Sequence, residues 1–170
     1  MNFGLNFGVM GGGGSEIDCP SPPGELIRNW TFSCDDLYWT PANATATYPN
    51  DNCRVVRQGS AGRVQQRVYL QSGEYNIEVE VIATDSSGFV IVTPPEGNSD
   101  FPIDFIGTGI HTGTFTATID GTYTIGVGTN NPIGSYCEFG YLSFKLGNAI
   151  NFVIHNGELV THNGESVTWQ

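Results

Sequence analysis

The chain has 170 residues, of which 17 are acidic and 6 are basic, so its formal net charge is −11. Charged residues make up 14% of the chain, against about a quarter in an average globular domain. Six scattered basic residues are too few to neutralise a phosphate backbone, which excludes nucleic acid as a partner. No apolar run approaches about 18 residues, so the sequence predicts no membrane insertion.

Residues 1–23 are predicted to form an arm outside the folded domain. Large apolar residues alternate there with Gly and Asn, in the period of a β-strand, at Phe3, Leu5, Phe7 and Val9. A glycine linker at 11–14 and a proline-rich segment at 20–23 follow. A strand on a flexible tether cannot bury its apolar face locally, so we expect it to anchor the chain to another protein. A frayed terminus, or a strand of the chain's own domain, is the alternative.

The state of the four cysteines depends on the compartment in which the chain is made. The start has neither a basic segment nor a long apolar stretch, so we expect no export signal and synthesis in a reducing cytoplasm. Cys19, Cys34, Cys53 and Cys137 show no CxxC pair and no metal-ligand spacing. The sequence therefore predicts four free thiols, with Cys34–Cys53 as the best candidate for a disulfide.

Residues 24–147 are predicted to form an all-β domain. The clearest strand covers residues 74–82, where inward apolar residues alternate with an acidic outer face. Residues 112–129 predict a hairpin that turns at Asp120-Gly121. Further strands are predicted at 25–32, 43–48, 53–58, 63–70, 88–93, 101–106 and 138–146. Many short strands without a helical stripe predict a jelly-roll or β-sandwich.

Residues 148–170 contain an internal repeat, because 153–159 is followed at once by the similar segment 160–166. Each repeat contains an Asn-Gly pair, which favours a tight two-residue turn. Strands this short are not stable alone in water, so we expect this tip to drive oligomerisation around a symmetry axis. Packing on the sandwich is the alternative. The residues assigned to the tip's assembly are Asn156, Gly157, Asn163, Gly164 and Trp169.

One polar and aromatic stripe is the best candidate for a ligand site. Strand 63–70 places three apolar residues on one face, so its other residues share the opposite face. Aromatic faces beside amide and guanidinium groups are typical of sugar-binding sites, and we include an aromatic residue from the preceding segment. The predicted glycan-binding residues are Trp30, Arg63, Gln65, Arg67 and Tyr69. An ordinary solvated face or a subunit contact would produce the same pattern.

The sequence predicts no enzyme. Glu78 and Glu80 share a strand face, but no matching carboxylate pair and no Gly-x-Ser-x-Gly nucleophile motif accompanies them.

No cofactor is predicted. A structural calcium site is left open because Glu25, Asp35 and Asp36 offer oxygen ligands. His155 and His162 recur at one repeat position, so a trimer would form rings of three imidazoles, although such a histidine more often only flanks a turn.

Several segments between residues 25 and 146 resemble the strands of carbohydrate-binding-module-like jelly rolls. They are the opening strand at 25–32 with Tyr38-Trp39-Thr40, the middle strands at 62–70 and 73–77, and the closing strands at 114–125 and 139–144. The sequence departs from the family pattern at Trp30 and Tyr38, where the family usually has Gly. The resemblance implies a non-catalytic sandwich, and Trp39 is expected to be a core residue.

The two terminal zones are similar to those of tailed-bacteriophage virion proteins. This resemblance implies a fibre, tail-tip or capsid-decoration protein that is made in the host cytoplasm and joins other virion proteins through its N-terminal arm. It also implies a homo-oligomer, often a trimer, that displays the sandwich for adhesion to host-surface glycans. A purely structural decoration protein and a polysaccharide depolymerase fragment are the two alternatives.

Overall fold

The computed structural model describes residue 19, residues 21–130, residues 132–147, and the backbone of Val153–His155 and Glu158–Val160. The predicted anchoring residues Phe3, Leu5, Phe7 and Val9 lie outside the described residues, as do Asn156, Gly157, Asn163, Gly164 and Trp169. The roles and domain boundaries assigned to the two terminal zones therefore stay predictions.

The described chain consists almost entirely of β-strands. In chain order they are β1 (Thr40–Ala42), β2 (Ala44–Thr47), β3 (Cys53–Arg57), β4 (Gly62–Leu70), β5 (Gly73–Thr84), β6 (Ser87–Thr93), β7 (Asp100–Ile106), β8 (Gly109–Ala117), β9 (Gly121–Thr129), β10 (Tyr136–Leu146), β11 (Val153–His155) and β12 (Glu158–Val160). A short 3-10 turn, Pro49–Asp51, separates β2 from β3. Within the described segments, no helix has the length and apolarity needed to cross a membrane.

Two five-stranded antiparallel sheets form a β-sandwich. The first sheet has the order β1-β4-β9-β6-β7, and the second has the order β2-β3-β10-β5-β8. Alternate residues of each strand point between the sheets, as in β5, where four apolar residues are buried: Tyr75, Ile77, Val79 and Val81. Each such burial contributes about 1.5–3 kcal/mol to stability. The prediction of an all-β sandwich is confirmed.

The predicted hairpin at 112–129 is wrong, because its two strands do not pair with each other. β8 pairs with β5 in the second sheet, whereas β9 pairs with β4 and β6 in the first sheet. The turn at Asp120 is therefore a corner between the two sheets, where the Asp120 carboxylate accepts a 2.7 Å hydrogen bond from the Ser72 N–H. Phe115 and Tyr123 meet across the core with ring centroids 5.7 Å apart. Alternation indicates which face of a strand is buried, but it does not identify the neighbouring strand.

The predicted strand at 25–32 is also wrong. Only Glu25 forms an isolated bridge, with Lys145, and the chain then coils through turns as far as Trp39. Asn29, Phe32, Asp35 and Tyr38 adopt positive φ angles of 50°, 57°, 52° and 71°, which a strand cannot contain. Apolar residues of this segment still enter the core, which produces the strand-like pattern in the sequence.

The free-thiol prediction is wrong for two of the four cysteines. Cys19 and Cys34 form a disulfide, so the candidate pairing of Cys34 with Cys53 is also wrong. Cys53 and Cys137 are free and lie buried on β3 and β10. The absence of a CxxC motif did not indicate the pairing, because the coiled segment brings together cysteines that are 15 residues apart.

The first repeat of the tip forms a small hairpin. β11 pairs antiparallel with β12, with Val153 opposite Val160 and His155 opposite Glu158. Two residues connect the strands, which is the spacing that the Asn-Gly pair predicts. The second repeat lies outside the described residues, and assembly through the tip stays a prediction.

Candidate functional site

A coiled segment, residues 25–39, lies along one side of the sandwich and is shaped by Asn29. The Asn29 side chain is buried, and its amide donates hydrogen bonds to the carbonyl oxygens of Asp35 at 2.9 Å and Leu37 at 3.2 Å. Its Oδ1 accepts one from the Cys34 N–H at 3.0 Å. The Trp39 indole N–H donates to the Asn29 carbonyl at 3.1 Å. One side chain therefore satisfies the turns that replace regular strand hydrogen bonds.

The coiled segment is attached to the second sheet through Glu25. The Glu25 carboxylate accepts hydrogen bonds from the N–H groups of Ile27 at 3.0 Å and Phe144 at 2.8 Å, and from the Ser143 hydroxyl at 2.6 Å. The Leu142 N–H donates to the Trp30 carbonyl at 2.9 Å. These contacts extend along the half of β10 that β3 does not pair with.

The same segment is attached to the first sheet through Gln66 of β4. The Gln66 amide donates to the Arg28 carbonyl at 3.0 Å, and its Oε1 accepts from the Arg28 N–H at 3.1 Å. Gln66 occupies an inward position of β4 and is only 7% exposed. Its side chain therefore acts as a strand partner for the coiled segment.

A cleft of about 1160 Å³ lies between the coiled segment and the open edge of β4. β1 pairs only with Arg63, Val64 and Gln65, so the second half of β4 has no strand on that side in the described chain. We call this space the β4 cleft. It is lined by Cys19, Ser21, Glu25, Leu26, Arg28, Tyr38, Gln66, Arg67, Val68 and Tyr69.

Aromatic and hydrogen-bonding side chains share the β4 cleft. Tyr69 is 62% exposed, and Arg67 beside it is also exposed. On the opposite side, the Arg28 guanidinium lies 5.1 Å from the centre of the Tyr38 ring. A concave site with aromatic faces and a few directed polar groups is suited to a polar organic ligand.

The predicted stripe is present but divided. Arg63, Gln65, Arg67 and Tyr69 alternate with buried residues along β4, so they share its outward face. Arg63 and Gln65 do not line the cleft; the Arg63 Nε donates to the Gln65 Oε1 at 2.7 Å. Burial lowers the pKa of Arg63. Arg63 and Gln65 lie opposite Gly128 and Gly126 of β9, where added side chains would collide with neighbouring atoms.

Trp30 lies apart from the other predicted site residues. Its ring packs against Tyr141 of β10, with centroids 5.5 Å apart, on the outward face of the second sheet. The Tyr141 hydroxyl donates to Glu78 at 2.5 Å. Burial, together with the Glu78 carboxylate, raises the pKa of Tyr141. A shallower groove of about 480 Å³ on this face includes Asn76 and Glu78.

The described residues contain no cluster of side chains that could hold a metal ion. Among the described residues, Glu25 is the one carboxylate that lines the β4 cleft, and it accepts three hydrogen bonds from the protein. No group of three or more His, Cys, Asp and Glu side chains there could hold a metal ion. The calcium site left open at Glu25, Asp35 and Asp36 does not form such a group among these residues, and it stays an untested possibility.

Sequence reasoning missed eight of the ten residues that line the β4 cleft, and four of these supply the contacts and charges described above, namely Glu25, Arg28, Tyr38 and Gln66. Gln66 did carry a signal, because a polar residue at an inward strand position requires a hydrogen-bond partner. The other three lie on the coiled segment, where a period-2 pattern does not indicate which way a side chain points.

Comparison with known proteins gives matches of structure only. No family model matches the chain, and no curated protein matches its sequence. The structure of TmCBM61 in complex with β-1,4-galactotriose matches with a TM-score of 0.52 at 13% identity, over 72% of this chain and 98% of that chain.

Two further structures show the same likeness. The CBM22-1–GH10 modules of a Clostridium thermocellum xylanase, complexed with xylohexaose, match with a TM-score of 0.57 at 16% identity, over 74% of this chain and 29% of that one. A CBM29-2 mutant complexed with cellulohexaose matches with a TM-score of 0.50 at 14% identity, over 68% and 86%. At these identities the likeness concerns the fold: the chain contains a β-sandwich of the kind found in carbohydrate-binding modules.

Proposed function

We propose that this chain is a non-enzymatic, glycan-binding protein and that the β4 cleft is its binding site. The observation that carries the proposal is the cleft itself, which is lined by Tyr69 and Arg67 of β4 together with Tyr38 and Arg28 of the coiled segment. The fold likeness to carbohydrate-binding modules supports the same function. The predicted residues Arg67 and Tyr69 are retained in this proposal, whereas Trp30, Arg63 and Gln65 lie outside the cleft.

The chemistry of the β4 cleft suits a sugar. The apolar faces of a pyranose ring pack on aromatic rings, and its hydroxyl groups need donors and acceptors at their edges. Tyr69 offers an exposed ring, and the guanidinium groups of Arg28 and Arg67 offer donors. An open site of this kind binds weakly as a single copy.

We further propose that the protein is a tailed-phage virion component made in the host cytoplasm. In this proposal the strand-like pattern of Phe3, Leu5, Phe7 and Val9 joins the chain to another virion protein. The Asn-Gly repeats assemble a homo-oligomer, a trimer in the simplest case. The support is the sequence pattern of the two terminal zones, together with the gain in avidity that several copies give a weak site.

A glycan array on the purified full-length protein, with its oligomeric mass measured in the same sample, tests this function. We expect an oligomer that binds host-surface glycans, with binding lost in the double variant Arg67→Ala, Tyr69→Ala. The matched control, Arg54→Ala, changes an arginine on the second sheet that lies over Tyr136. A folded oligomer that binds no glycan would contradict glycan binding and favour a purely structural decoration protein. Breakdown of a bound polysaccharide would favour the depolymerase alternative.

The roles of the terminal zones require separate tests. Deleting residues 1–14 should leave a folded sandwich that no longer joins its particle, and continued incorporation would contradict anchoring. Replacing Gly157 and Gly164 with valine should disrupt both predicted turns, because β-branched residues resist positive φ. An unchanged oligomeric mass in that variant would show that the tip does not assemble the protein.

A further inference from the structure

Basic residues outnumber acidic ones in the β4 cleft, whereas acidic residues outnumber basic ones in the whole chain. The chain has 6 basic residues against 17 acidic ones. Two of the six, Arg28 and Arg67, line this one cleft, where Glu25 is the single acidic residue among the described side chains that line it. The cleft is therefore a cationic site on an otherwise strongly acidic protein.

The guanidinium N–H donors of these two arginines are not used by the described parts of the protein. The Arg28 guanidinium lies over the face of Tyr38, and neither it nor the Arg67 guanidinium has a hydrogen bond or ion pair to any described residue. Of three other arginines, two donate hydrogen bonds to the described protein and one lies over an aromatic ring. Arg54 lies over the Tyr136 ring, Arg57 donates to the carbonyl oxygens of Gly59 and Asn130, and Arg63 donates to Gln65.

Glu25 offsets at most one of the two arginine charges of the cleft, and its hydrogen bonds are made to other groups. Its Oε1 accepts the N–H groups of Ile27 and Phe144, and its Oε2 accepts the Ser143 hydroxyl. These donors direct the carboxylate towards β10 and stabilise its charge there. Arg28 and Arg67 are both exposed, so their guanidinium groups are accessible to a ligand.

We infer that the β4 cleft binds an acidic glycan, in which a sugar carboxylate is held by Arg67 and Arg28 while the sugar ring packs on Tyr69. This inference rests on the proposed glycan-binding function. A guanidinium group presents paired N–H donors whose spacing matches a carboxylate, and it remains charged at any physiological pH. A sulfate ester offers similar chemistry, so the test includes one.

The experiment measures the affinity of the full-length protein for two matched pairs of saccharides at physiological ionic strength. One pair is cellohexaose and the same β-1,4 backbone oxidised to glucuronate, and the other is polygalacturonate and its carboxyl-reduced form. Sulfated cellohexaose is the third probe. Arg67→Gln keeps a polar side chain but removes the charge, and Arg54→Gln is the matched control on the second sheet.

We expect the affinity for at least one carboxylated probe to exceed that for its neutral partner by about tenfold or more, which is the gain from a charge-assisted hydrogen bond. Arg67→Gln should remove that preference, and Arg54→Gln should leave it intact. Preference for the sulfated probe alone, or for neutral probes in the wild type, would overturn the inference. If neutral glycans bind through Tyr69 and Arg67→Gln does not change the affinity, the inference is overturned but the proposed function is retained. Binding of no glycan here or on the array would overturn both.

Discussion

Gln66 and Arg28 exchange two hydrogen bonds, although they are 38 residues apart in the chain. The Gln66 side-chain amide offers a donor and an acceptor in the arrangement of a backbone peptide group. It therefore pairs with the N–H and carbonyl groups of Arg28 as a neighbouring strand would. This contact helps to hold the coiled segment beside the open edge of β4, where it forms one wall of the β4 cleft.

Replacing Gln66 with leucine should destabilise the protein by about 2 kcal/mol, because two backbone groups of Arg28 lose their partner in a partly buried place. Urea unfolding measures this change. Gln71→Leu is the matched control, because Gln71 is exposed and should change stability by less than about 0.5 kcal/mol. Equal stability of the two variants would show that the coiled segment does not depend on Gln66.

Asn29 should be the most sensitive polar residue of the coiled segment. Asn29→Ala removes three hydrogen bonds to the backbone of Cys34, Asp35 and Leu37, and places alanine at a positive φ of 50°. We expect a loss of about 3 kcal/mol in unfolding free energy. Asn98→Ala, at an exposed position, is the control. If thermal unfolding shows the same midpoint for both variants, the turns of this segment are held by other contacts.

The four cysteines should react in two distinct pairs. Alkylation of the denatured, unreduced protein should label only Cys53 and Cys137, and reduction should add Cys19 and Cys34. The folded protein should react slowly, because both free thiols are buried. Reducing the disulfide should lower the unfolding free energy by about 3 kcal/mol, the value for a loop of this length. Mass spectrometry that finds four free thiols, or a Cys34–Cys53 link, would contradict this assignment.

Stability should fall as the solution becomes alkaline. Burial raises the pKa of the Cys53 thiol from 9.0 to about 12. The unfolded chain therefore releases a proton near pH 9 that the folded protein keeps, and stability is full below that pH and decreases above it. Between about pH 8 and about pH 10 this group should remove about 1.4 kcal/mol of unfolding free energy. Cys53→Ala should lose less stability over that interval, and an identical pH dependence would contradict the assignment to Cys53.

The sandwich could be predicted from the sequence because strand alternation reports burial directly. In β5, and in β4 apart from Gln66, every second residue is apolar or small, and the structure buries those faces. The pairing of β8 with β5 could not be predicted, since Phe115 and Tyr123 point into one core from opposite sheets. Which strand lies beside which depends on contacts far apart in the chain.

The candidate site was only partly predictable for a related reason. Arg67 and Tyr69 lie on a regular strand, so their shared face follows from the period of the strand. Arg28 and Tyr38 lie on a segment whose course depends on the buried Asn29 and on left-handed residues. Trp30, on the same segment, points instead towards Tyr141 on the other side of the sandwich. The sequence pattern could not show that the side chains of Trp30 and Arg28 lie on different sides of the sandwich.

The most direct test compares the same substitution on the two faces of the sandwich. The affinity of a glycan identified on the array is measured by calorimetry for Tyr69→Ala, in the β4 cleft, and for Tyr141→Ala, on the outward face of the second sheet. The proposed site predicts that Tyr69→Ala weakens binding about tenfold or more, whereas Tyr141→Ala leaves it within about twofold. Loss of binding in Tyr141→Ala with Tyr69→Ala unaffected would contradict the β4 cleft and place the site beside Trp30.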